Sequence, residues 1–243
     1  MREALFWGLV ASSSLLIGGL VALRVSIDRL VLGLVMAFGA GVLLSAVAFE
    51  LVEEAFAESG LLRDVALGLF AGCAVYSLGD MLIDRMGGES RKRIDGGEAE
   101  GSPLAIVLGI VLDGIPESAV IGLTVLEGGA VSVAMLVAVF LSNLPEAVAA
   151  SSGLADAGWR RSRILQLWIG VMVVSGLAAL AGYSLFDGAS PSVVAFVLAF
   201  AGGAILTMLA DTMMPEAFAH GGKLAGVMTT VGFATAFAVS AFE

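Results

Sequence analysis

Two short stretches carry the residues that could do chemistry: Leu112-Asp113-Gly114-Ile115-Pro116-Glu117-Ser118 and Leu141-Ser142-Asn143-Leu144-Pro145-Glu146-Ala147. Each lies deep in an apolar run, and each sets a proline directly before a glutamate. A carboxylate near the centre of a bilayer costs at least ~2.5–3.5 kcal/mol, so it is normally retained for function. Proline has no N–H for the carbonyl four residues back, so Pro116 frees the carbonyl of Leu112 and Pro145 that of Leu141. On a helix Asp113 and Glu117 share one face. Ser142 and Glu146 repeat that spacing, with Asn143 one step round. If the two helices pack as an antiparallel pair, Asp113, Glu117, Asn143 and Glu146 converge. Carboxylates gathered at low dielectric need a cation or protons to neutralise them. The chemistry expected here is therefore divalent-cation binding in competition with protons.

The elements that must hold these residues are membrane spans. The chain has 243 residues, 59% apolar and 14% charged, with a mean hydropathy of +1.01. A soluble domain of that balance would expose one large apolar patch. About 20 apolar residues cross a bilayer. Runs of that kind cover about 4–23, 31–56, 62–84, 104–126, 130–153, 162–184, 191–217 and 222–242. The expected fold is all-α, an integral membrane protein of eight transmembrane helices in one domain. The first run is too long for the apolar stretch of a signal peptide and is read as a span. Residues 85–103, with glycine pairs at 87–88 and 96–97, are expected to form a cytoplasmic linker.

Charge sets the orientation. Arg24, Arg29, Arg85, Arg91, Lys92, Arg93, Arg160, Arg161, Arg163 and Lys223 fall on one side of the eight runs, and Arg2 and Arg63 on the other. The basic side is expected in the cytoplasm, with both termini outside a cell (inner) membrane. The net charge of −10 says little about nucleic acid, but no basic stripe exists to bind it, so no nucleic-acid partner is expected. Cys73 is the single cysteine and rules out an internal disulfide.

The second and seventh runs repeat one another. Ala37 to Phe56 aligns without gaps to Ala199 to Phe218, matching Phe38 with Phe200, Gly41 with Gly203, Leu44 with Leu206, and Glu54-Ala55-Phe56 with Glu216-Ala217-Phe218. An odd number of crossings separates these runs, so a parallel sequence repeat implies an inverted repeat. The expected architecture is 3+2+3: three helices, a central pair carrying the buried acids, and three inverted helices.

These residues together resemble the ZIP (ZRT/IRT-like) divalent-metal transporters, as a divergent prokaryotic member, over essentially the whole chain. The resemblance implies transport of zinc, manganese, iron or a similar cation, with no cofactor, and a homodimer in the bilayer. It makes Glu117 and Glu146 the central ligands, sets Asp113 at the position of a family histidine, and matches Asn143 to a polar ligand position. The family's His-Asn pair is here Asp113-Gly114, its leading ligand in the fifth helix is Ser142, and Ser175 falls nearest a glutamate common in the sixth. A site built from oxygen suits manganese, magnesium or calcium, whereas imidazole suits zinc, copper and iron. Asp211 lies where relatives often carry a residue that relays the metal, which gives it an exit-path role or simple hydrogen bonding.

Other polar residues are secondary. Asp80 and Asp84 share a face of the third run, and Glu50, Glu53 and Glu54 form an acidic outer end of the second. Met208, Met213 and Met214 are expected to pack, and His220 to lie in a loop. Two rivals stay open: an intramembrane aspartyl protease using Asp80 and Asp113, and a non-transporting sensor or scaffold of the same fold.

Overall fold

In lipid the backbone must satisfy its own hydrogen bonds, and a chain with these apolar runs does so by coiling. The computed structural model describes residues 1–25, 27–87, 103–128 and 131–242, and all regular structure among them is helical. Eight of these helices are long and apolar enough to cross a membrane: α1 (Arg2–Ala22), α2 (Arg29–Ser59), α3 (Leu62–Arg85), α4 (Pro103–Gly128), α5 (Val133–Asp156), α6 (Arg161–Phe186), α7 (Pro191–Gly221) and α8 (Lys223–Ser240). The protein is a multi-pass, all-α membrane protein. Residues 88–102 of the expected linker lie outside the described residues.

The helix ends follow local chemistry. The Asp28 carboxylate accepts the Leu30 N–H at 2.9 Å and starts α2. Gly60, at φ 63°, takes the left-handed conformation that ends it. α5 begins later than expected because the Ser132 hydroxyl accepts the Met135 N–H at 3.1 Å and caps the helix there.

α2 and α7 are each 31 residues long, and each widens into a π-helical turn, Val47–Glu53 in α2 and Leu209–Met213 in α7. With Ala37 set on Ala199, their first residues, their last residues and the onsets of both wide turns coincide. In α7 the cause is Pro215, which cannot donate to the Asp211 carbonyl and crowds it. α2 has Glu53 in the matching place, so no proline accounts for its wide turn. There the Glu50 carboxylate reaches two other helices, accepting from Ser132 Oγ at 2.7 Å and from Ser240 Oγ at 2.6 Å.

Glycine decides which helices meet, because lipid supplies no hydrophobic force between them and close backbone approach must do the work. A Cβ on Gly72 would overlap the carbonyl oxygen of Phe200, and one on Gly203 that of Leu69, so α3 crosses α7 backbone to backbone. Gly41 against Thr229 and Gly232 against Phe38 do the same for α2 and α8. Gly122 against Ala179 and Gly182 against Ala119 join α4 to α6. α1 lies on α5 and α6. The helices thus sort into two groups, α1, α4, α5 and α6 in one and α2, α3, α7 and α8 in the other, which touch chiefly where α2 lies on α5. α4 and α5 meet over only a short stretch; the glycines seat α4 on α6, and α5 rests mainly on α1.

Candidate functional site

Both proline-glutamate stretches stay helical, with Pro116 inside α4 and Pro145 inside α5. Glu117 and Glu146 each fall within one turn of the middle of their helix. On α4, Asp113 is 3% exposed and Glu117 1%. Asp113 Oδ1 accepts a hydrogen bond from the hydroxyl of Tyr76 on α3, a tyrosine itself 2% exposed. Gly79, nearly one turn further along α3, lets that helix lean on Leu112, whose side chain would lie 3.2 Å from a Cβ there. Gly114 faces α6, where Ser175 Oγ stands 3.6 Å from the position a Cβ would take.

On α5, Ser142 and Asn143 are buried and Glu146 is half-buried. Ser142 Oγ donates to the Val139 carbonyl at 3.1 Å. Two glycines let other helices press onto this backbone. A Cβ on Gly18 of α1 would stand 2.5 Å from the Leu144 carbonyl oxygen. A Cβ on Gly39 of α2 would stand 3.2 Å from Ser142 Cα and 3.4 Å from both the Leu141 oxygen and Met213 Cε. Gly39 of α2 therefore lies beside the carbonyl that Pro145 frees.

Among the described residues no group of three or more His, Cys, Asp or Glu side chains is gathered closely enough to hold a metal ion. Asp113 and Glu117 lie on one face of α4, and Ser142, Asn143 and Glu146 on α5, which α4 touches only lightly. Asp211 is exposed. It lines a groove of about 680 Å³ between α3 and α7, otherwise mostly apolar, with Cys73, Ser77 and Thr207 along it. His220, expected in a loop, is in the last turn of α7, its Nε2 3.1 Å from Glu216 Oε1. The i,i+4 spacing and the stop at Gly222 (φ 53°) keep it in the helix.

No protein-family model matches this chain, and no curated protein matches it.

What the site does has to be read from its own side chains. Sequence reasoning missed Tyr76, the residue that meets Asp113. Its signal was available: one of two tyrosines in the chain, in the interior of an apolar run, where a buried phenol normally needs a polar partner. The bonds of Glu50 to Ser132 and Ser240 had no comparable signal, because both hydroxyls are far away in sequence.

Proposed function

We propose that this chain carries a divalent metal cation across the membrane along α4 and α5, as a divergent relative of the ZIP transporters. One observation carries the reading: Asp113 and Glu117 lie buried on one face of a proline-containing helix, near the middle of a membrane span. Two carboxylates there are costly to stability, and a cation passing between two aqueous faces is what repays their retention. The donors are oxygens: Asp113, Glu117 and Glu146 carboxylates, the Asn143 amide and the Ser142 hydroxyl. Hard cations are commonly held by one or two carboxylates with carbonyl oxygens and waters completing the shell. Such a shell needs no preformed cage, and a cation arriving at Asp113 and Glu117 would draw Asn143 and Glu146 toward it. Asp211, in its exposed groove, would serve the path rather than the central site.

The matched ends and wide turns of α2 and α7 support reading the chain as an inverted repeat, α1–α3 and α6–α8, around α4 and α5. So do the matched crossings: Gly41 and Gly203 face carbonyls of α8 and α3, and Gly232 and Gly72 face those of α2 and α7. Halves of this kind commonly give alternating access to a site between them. The excess of basic residues on one side supports a cytoplasmic face for the loops after α1, α3, α5 and α7 in a cell (inner) membrane.

The test is uptake of zinc, manganese, iron and cadmium into liposomes holding the purified protein. Wild type should accumulate at least one of them, and Glu117→Ala or Glu146→Ala should reduce uptake to background. No uptake of any of these cations under either pH gradient would overturn the reading. It would favour a sensor or scaffold, the alternative that the lack of a gathered carboxylate cluster supports.

A further inference from the structure

We propose that Tyr76 is a positioning residue for cation binding: its hydroxyl fixes the rotation of the Asp113 carboxylate, so that Asp113 presents one oriented oxygen on the α4 face it shares with Glu117. This rests on the reading of α4 and α5 as the cation path.

Four observations carry it. The phenol is buried in the interior of α3 and donates its hydroxyl to a carboxylate, Asp113 Oδ1. Gly79, whose missing side chain leaves room for Leu112, lets α3 approach α4 beside Asp113. Tyr76 comes from the helix group that does not contain α4, so the group opposite the ligand sets the ligand's orientation. Asp113 also stands beside Gly114 and three residues before Pro116, on backbone less rigid than a plain helix, where a carboxylate gains most from an external hold. Partners that hydrogen-bond a metal-ligating side chain orient it, and their loss typically costs 10–100-fold in metal affinity.

The experiment is manganese uptake by Tyr76→Phe, which deletes one oxygen and keeps the ring in place. The half-saturating manganese concentration should rise roughly 10–100-fold, with the maximal rate within about twofold of wild type. In an Asp113→Ala background the same substitution should change nothing further, because the hydroxyl then has no ligand to hold. A tyrosine that only packs would lower the amount of assembled protein or the maximal rate, alike in both backgrounds.

A second readout does not depend on that variant folding. The chain has two tyrosines, so Tyr183→Phe with 3-fluorotyrosine gives one fluorine resonance, at Tyr76. Cadmium should move it, and should fail to move it once Asp113→Ala is added. Unchanged half-saturation in Tyr76→Phe beside an active wild type overturns the role of Tyr76 and leaves transport standing. An equal shift in the Asp113→Ala background, or a fluorine signal indifferent to cadmium, overturns it likewise. A wild type that takes up none of zinc, manganese, iron and cadmium overturns both.

Discussion

At Glu50 one carboxylate takes hydroxyls from two other helices, Ser132 at the start of α5 and Ser240 at the end of α8. Hydrogen bonds to a charged group contribute about 1.5–3 kcal/mol each. Glu50→Ala should therefore destabilise the protein by about 2–4 kcal/mol, and Glu50→Gln, which keeps one acceptor, by less. Thermal unfolding in detergent reads both, and an unchanged midpoint for Glu50→Ala would mean the two bonds do not hold this end of the bundle. At this scale the sequence was partly legible. Asp113, Glu117 and Glu146 stand out in one dimension because a proline and an acid are conspicuous in an apolar run. Tyr76 is a fainter signal, since its polarity is a single hydroxyl, and nothing marks its acceptor, 37 residues away, as its partner.

Among the helices, the eight spans could be read directly, because a run of about 20 apolar residues is a local property. Their partners could not. Gly72 meets Phe200 and Gly41 meets Thr229, and no periodicity within either helix records that choice. The expectation of an α4–α5 pair carried no signal of the glycines of α6, which seat α4 against that helix as well. Nor did the repeat announce that α2 and α7 would widen at the matching step. The glycine contacts give a sharp contrast. Gly203→Ala drives a methyl into the Leu69 carbonyl and should cost about 1–3 kcal/mol or more, the usual penalty of overpacking. Gly170→Ala, on the open side of α6 with nothing within 4 Å, should stay within about 0.5 kcal/mol of wild type. Equal unfolding temperatures for the two variants would remove the glycine crossing as the link between α3 and α7.

For the whole molecule, the arrangement in the bilayer is open to chemical mapping. With Cys73→Ser as background, a cysteine replacing exposed Ser190 between α6 and α7 should react with an impermeant maleimide on intact cells. One replacing exposed Ala157, between α5 and α6, should react only after permeabilisation. The reverse pattern would invert the topology. The crossings also have a consequence for how the protein is made. α3 is complete at Arg85, but the carbonyl and the glycine it locks against, of Phe200 and Gly203, belong to a helix still unmade. At ~5–20 residues per second that delay is on the order of ten seconds. During it the newborn hairpin α2–α3 sits in lipid with Gly41 and Gly72 uncovered, and any translocation machinery or stray helix that fits those notches can occupy them first. A ribosome that stalls before α7 would thus release a chain whose unfilled glycine faces are ready-made docking points for the wrong partner.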